Sequence, residues 1–252
     1  MTTSLYILTG ASRGMGLALA EQLLQAGNTL LTLQRSPHPD LPALAEARGA
    51  RLLAWSVDLA DSTGAAHELG LWLRTQDPAA YQRAVLINNA GVIPPIAPLS
   101  DSSPELVAAA LRVGLEAPML LCAAFLNGTA GWSLPRQVLN ISSGLGRRAM
   151  ASQAPYCAAK AGMDHFTRCL ALDEAQKPNG AKVCSLAPGV IDTDMQVQLR
   201  STPAEAFPDQ GNFAALKNKG QLTSPQEAAA RLLAYLQRPD FGNQPVADVR
   251  DA

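Results

Sequence analysis

The sequence predicts an α/β fold: one doubly wound parallel sheet of about seven strands, with helices on both faces. Three observations predict it. Short apolar runs of strand length recur through the 252 residues, helical patterns separate them, and the first run ends in a glycine-rich turn that opens a helix. With 48% apolar residues the chain can bury a sizeable core, and no linker, internal repeat or low-complexity tract divides it. Residues 1–252 are therefore expected to form a single domain.

The elements follow in order. Leu5–Leu8 reads as a strand buried on both faces, Thr9–Gly16 as the turn, and Leu17–Ala26 as a helix closed by Gly27. Thr29–Gln34 is the second strand. A loop marked by Pro37, Pro39 and Pro42 leads into a short helix, Leu41–Arg48, and Arg51–Val57 is the third strand. Ala65–Thr75 is helical, and Ala84–Ile87 is a strand ending in Asn88-Asn89-Ala90-Gly91. Pro104 opens one long helix running to Leu126. Gln137–Ile141 is the fifth strand and ends in Ser142-Ser143-Gly144; a long helix then runs from Tyr156 to Gln176. Lys182–Leu186 is the sixth strand. Ser201–Gln221, rich in proline, amides and charge, is expected to be a mobile segment over the site. Ser224-Pro225-Gln226-Glu227 starts a last helix to Arg238, and Gln244–Val249 is a last short strand.

A net charge of −1 gives no reason to expect nucleic acid or an anionic membrane as partner. Cys122, Cys157, Cys169 and Cys184 are scattered, without a CxxC pair or a histidine cluster, so reduced thiols in a cytoplasmic protein with no metal are expected. No leader segment is expected, nor an uninterrupted membrane span, the nearest candidate being Ala117–Leu126.

The chemistry begins at the turn. Gly10 permits its tight bend, Gly14 lets a pyrophosphate approach the backbone, and Gly16 lets the helix pack closely. The helix N-terminus then offers free N–H groups and a positive dipole end to phosphates. The residue after the second strand chooses the ribose: a carboxylate suits the 2′-hydroxyl of NAD, a cation the 2′-phosphate of NADP. Here the run ends Gln34-Arg35-Ser36, and Arg13 in the turn is a second cation, so the pair favours NADP(H). Each arginine alone would suit a solvated surface. Tyr156 and Lys160, four apart, share one helix face. A nearby cation favours the phenolate of a tyrosine whose ordinary pKa is about 10. The same spacing also suits a core tyrosine beside a snorkelling lysine.

TGxxxGxG at Thr9–Gly16, with YxxxK at Tyr156–Lys160, resembles the short-chain dehydrogenase/reductase family from Leu5 onward. The resemblance implies a Rossmann-type domain in which Tyr156 donates a proton, Lys160 lowers the tyrosine pKa and binds the nicotinamide ribose, and Ser143, favoured over Ser142 by spacing, bonds the reacting oxygen. It also implies cofactor contacts from Gly10, Ser12, Arg13, Gly14, Met15 and Gly16, and from Arg35 and Ser36. Asp58 would hold the adenine amine and Leu59 would cover the ring, while Asn89, Ala90 and Gly91 would adjoin the adenosine. Pro188, Gly189, Ile191 and Thr193 would wrap the nicotinamide. Asp61, and less readily Asp58, could instead cap the following helix. One position departs from the family pattern: Gly114 stands where an asparagine kinks a helix so that its carbonyl holds a water beside the lysine. A glycine keeps the carbonyl and can relax the helix.

Within the family, Tyr156–Gly162, Ala187-Pro188-Gly189 with Asp192–Gln196, and Leu216–Leu222 resemble the sepiapterin reductases. Asn140–Gly144 and Leu115–Leu120 resemble the benzil reductases of bacteria. The first resemblance implies a pterin anchor at Asp248, with Asp251 as the weaker match; an exposed carboxylate in a tail is the plain alternative. The expected function is NADPH-dependent reduction of a small-molecule carbonyl, sepiapterin-reductase-like. The alternatives are an aromatic α-diketone reductase without a pterin role and a non-catalytic NADP(H) sensor. The small residues Ala158, Ala159, Ala161 and Gly162 suit close helix contact, against the sheet or across the interface of a homodimer or homotetramer.

Overall fold

The computed structural model describes residues 3–251. Seven parallel strands form one sheet: β1 Ser4–Thr9, β2 Thr29–Gln34, β3 Arg51–Ser56, β4 Arg83–Asn88, β5 Arg136–Ile141, β6 Lys182–Ala187 and β7 Val246–Asp248. Their order is β3-β2-β1-β4-β5-β6-β7. The winding reverses between β1 and β4, which opens a crevice at the carboxyl ends of those two strands.

The central strands are buried on both faces, so their apolar side chains serve two cores alternately. Tyr6 and Leu8 pack with Leu19 of helix α1 (Gly14–Leu23) and Leu232 of helix α9 (Pro225–Leu236). Leu5 and Ile7 pack on the other face, with Leu69 of α3 (Ser62–Arg74) and Phe125 of α5 (Ala117–Gly128). The remaining helices are α2 (Leu41–Ala47), α4 (Pro104–Leu111), α6 (Ala154–Ala175), α7 (Asp194–Ser201) and α8 (Gln210–Asn218). Caps start the helices where the sequence places them: Asp61 accepts from the Gly64 amide, Ser103 from Leu106 and Ser224 from Glu227.

Two expectations are corrected. The long helix from Pro104 is interrupted by a π-helical turn, Arg112–Glu116, between α4 and α5. Taken together, Pro104–Gly128 is nonetheless long and apolar enough to span a bilayer by length and composition alone. In this fold Leu121 and Phe125 of that stretch are core residues. Ser201–Gln221 is not all loop: it carries helix α8, Gln210–Asn218, between turns. Its polar composition hides Phe207 and Phe213, which pack with Ile96, Met150 and Leu199 into a third apolar cluster, separate from the two sheet cores.

Candidate active site

A cavity of about 1070 Å³ lies at the carboxyl ends of the strands. Every predicted cofactor and catalytic residue lines it: the glycine turn, Arg35 and Ser36 after β2, Asp58 and Leu59 after β3, Asn89, Ala90 and Gly91 after β4. Ser143 after β5, Tyr156 and Lys160 on α6, and Pro188, Gly189, Ile191 and Thr193 after β6 complete it. Asp248 does not line it. A smaller cavity of about 200 Å³, between α3 and α5, contains none of these residues.

The turn is built from backbone. Gly10 has φ 74°, and its amide donates to Leu33 O of β2 at 2.8 Å. Asn89 Nδ2 donates to Thr9 O at 3.0 Å and Gly10 O at 3.1 Å, while Thr9 Oγ1 accepts from the Asn89 and Ala90 amides. The two strands flanking the crevice are thus tied to each other. A β-carbon on Gly16 would lie 1.8 Å from Gly10 O, so only glycine permits this approach. Arg13, the residue before α1, makes no side-chain cap, which leaves the first N–H groups of the helix without an internal partner. That donor set, with β-carbons absent at Gly10, Gly14 and Gly16, fits the pyrophosphate of a nicotinamide dinucleotide.

At the adenosine end, Asp58 Oδ1 accepts from the Ala60 amide at 2.9 Å while the residue faces the cavity. Asp61 is the cap of α3, so the two aspartates divide the two candidate roles. Arg35 borders the cavity where β2 ends, and no carboxylate stands beside it in sequence. Arg13 pairs with Asp194 at 3.0 Å, both side chains being more than 70% exposed (75% and 78%), a pair worth little in water.

At the other end the two serines separate. Ser142 turns into the protein and donates to Asp164 at 2.5 Å. Ser143 is half-buried on the cavity wall, its Oγ accepting from the Leu145 amide at 3.2 Å. Tyr156 and Lys160 share a face of α6, with Nζ 5.8 Å from the ring centroid. Lys160 Nζ donates to Ile141 O at 2.7 Å. Burial pulls the Lys160 ammonium down to about 8, and Asp164 opposes that shift. Burial pushes the Tyr156 phenol above its ordinary value, and the Ser143 side chain opposes it. Desolvation is the largest influence on the phenol in this arrangement, and the ammonium is turned to the strand-end carbonyl. A protonated tyrosine at neutral pH is what an acid requires.

Gly114 lies buried in the π turn, where a β-carbon would stand 3.0 Å from Cβ of Ala159, the neighbour of Lys160. The helix irregularity is thus present although the asparagine is not. Pro118 supplies a physical cause: it follows Gly114 by four residues and has no N–H to give that carbonyl. Ala117 N donates instead to Arg112 O, five residues back. A proline inside a helical pattern was the readable signal for this break.

Asp248 ends β7 nearly buried, and Arg250 takes both of its oxygens, Nε at 2.8 Å and Nη2 at 2.6 Å. These bonds hold its carboxyl below the usual aspartate range. It is therefore neither a free anchor in the cavity nor an exposed tail carboxylate, and its partner Arg250 faces the cavity instead. Arg148, Gln153, Gln196, Leu199 and Phe213 also line the cavity, and no spacing in the sequence marks them.

The profile of the short chain dehydrogenase family matches residues 5–204. A benzil reductase ((S)-benzoin forming) from Bacillus cereus is 34% identical over 93% of this chain and 94% of its own. A sepiapterin reductase from Meriones unguiculatus is 33% identical over 97% of this chain and 95% of its own. Among solved structures, a short-chain dehydrogenase/reductase from Burkholderia vietnamiensis superposes with a TM-score of 0.66 at 36% identity, covering 98% of this chain and 97% of that one. With the glycine turn and the serine–tyrosine–lysine wall on one crevice, the chain belongs to the short-chain dehydrogenase/reductase family, an oxidoreductase with a nicotinamide dinucleotide site.

Proposed function

We propose that the chain is an NADPH-dependent reductase of small-molecule carbonyls. The observation that carries the reading is that Ser143, Tyr156 and Lys160 lie on the same cavity wall system as the dinucleotide turn. The nicotinamide, when bound, supplies hydride to the carbonyl carbon. Tyr156, protonated at neutral pH, gives its proton to the carbonyl oxygen, and the Ser143 hydroxyl donates to that oxygen as negative charge develops. Lys160 keeps a positive charge beneath the phenol as the proton leaves. Arg35, at a β2 end without a carboxylate, supports NADPH over NADH.

Aromatic α-diketones of the benzil type fit this site better than a pterin. The carboxylate that would anchor a pterin, Asp248, is engaged by Arg250, while the cavity wall toward α7 and α8 carries Leu199 and Phe213. The apolar residues Leu106, Met119 and Leu172, exposed on α4, α5 and α6, support a homo-oligomer, and four unpaired cysteines suit a reducing cytoplasm.

The test is NADPH consumption by purified protein over benzil, sepiapterin, quinones and ketoacyl thioesters. Benzil turnover that falls by about 10²–10⁴ in Tyr156→Phe supports the reading. Full turnover by that variant removes the proposed acid, and turnover of sepiapterin but not benzil reverses the substrate preference.

A further inference from the structure

One buried carboxylate beneath the site belongs to none of the roles above. Asp164 follows Lys160 by one helical turn on α6 and is only 1% exposed. Its Oδ1 accepts from Ser142 Oγ at 2.5 Å and from Ser185 Oγ of β6 at 2.6 Å, and its Oδ2 accepts from Arg147 Nε at 3.2 Å. A carboxylate buried this deeply is retained only when its oxygens are satisfied, and here three side chains do so.

The placement of those partners ties Asp164 to the catalytic groups. Ile141 presents the carbonyl that receives Lys160 Nζ, Ser142 is bound by Asp164, and Ser143 faces the cavity. Three consecutive residues thus join the lysine, the carboxylate and the reacting serine. The space between is closed, since a β-carbon on Gly146 would lie 2.9 Å from both Asp164 Oδ2 and Lys160 O. Arg147 carries the pattern outward: Nη2 donates to Ala247 O at 2.9 Å, and Nη1 lies 3.9 Å from Asp248, which holds Arg250. Charges therefore alternate from Lys160 through Asp164, Arg147 and Asp248 to Arg250 at the cavity. The titratable groups facing this row are Tyr156 on α6, Cys184 on β6, Asp251 beside Arg250 and those just named.

We propose that Asp164 is a positioning residue for the catalytic group, holding the Ile141–Ser143 strand end in place and supplying the buried counter-charge that keeps Lys160 protonated. It rests on the reading of Ser143, Tyr156 and Lys160 as the catalytic residues. Its direct consequence is that the lysine, which burial disfavours as a cation, is held charged through neutral pH.

The test uses the full chain without added nucleotide, labelled at lysine Cε with 13C, with the Lys160 resonance assigned by its loss in Lys160→Arg. Titration by NMR is expected to show the Lys160 pKa falling by about 1 unit in Asp164→Asn, because an opposite charge has been removed. An unmoved pKa in the folded variant overturns the proposal. Should that variant not fold, Arg147→Gln removes the cation that offsets Asp164. It is expected to move the same pKa upward, and no movement there overturns the proposal equally. Ser142→Ala keeps the charge and cuts the tether, so the pKa should stay in place while kcat for benzil reduction falls about tenfold or more. A full kcat refutes the tether. Full activity of Tyr156→Phe would instead sink the catalytic reading, and the NMR result would stand apart from it.

Discussion

The two ends of the cavity are made of different material. At the dinucleotide end the decisive contacts centre on backbone groups: Gly10 N to Leu33 O, the carbonyls of Thr9 and Gly10 held by the Asn89 side-chain amide, and a helix terminus with free amides. At the substrate end they are side chains, with Phe207, Phe213 and Leu199 forming a small apolar cluster of their own beneath α7 and α8. Asp192, near the start of that region, is held by Lys217 and Arg200, on opposite sides of Phe207 in sequence. A ligand site built from backbone tolerates almost no added atom, because main chain cannot rotate away. One built from side chains can be re-cut by substitution without disturbing the sheet.

Four substitutions would break or sharpen this contrast. The largest effect is expected of Gly16→Ala, whose methyl has no room beside Gly10 O; NADPH binding by fluorescence titration should be lost. Retained affinity would show that the turn is not rigid. Phe207→Ala empties a fully buried site and should cost about 3 kcal/mol by urea denaturation. It should raise KM for the carbonyl and leave the NADPH Kd in place; a matching rise in nucleotide Kd would mean the two ends are one unit. Arg35→Glu should lower the NADPH to NADH ratio of kcat/KM by about tenfold or more, the repulsion of one charge at a 2′-phosphate. Arg13→Ala should be the mildest, within about fivefold in NADPH Kd, since the side chain is exposed and already paired with Asp194.

The same contrast explains what was legible in the sequence. Gly10, Gly14 and Gly16 could be read because steric need at a turn admits one residue type at a fixed interval. Tyr156 and Lys160 could be read because a helix converts four residues into one face. Ser201–Gln221 could not: its polar composition is that of a loop, and Phe207 and Phe213 mean something only once Ile96 and Met150 are brought to them. Asp248 was legible only as a carboxylate near the end of the chain. Its neighbours Arg250, two residues on, and Arg147, about a hundred residues earlier, decide what it binds. Spacing favours Ser143 over Ser142, but what Ser142 does instead is visible only through Asp164, a contact across two elements.

The break in the helix between α4 and α5 has a consequence for how such a site survives change. The helix break near position 114 does not depend on the side chain there, because Pro118 has no N–H to give the Gly114 carbonyl whatever residue stands above it. The instruction and its result are four residues apart. Selection acting on the result would register one constraint at the proline and another at position 114, where even a methyl would stand 3.0 Å from Cβ of Ala159.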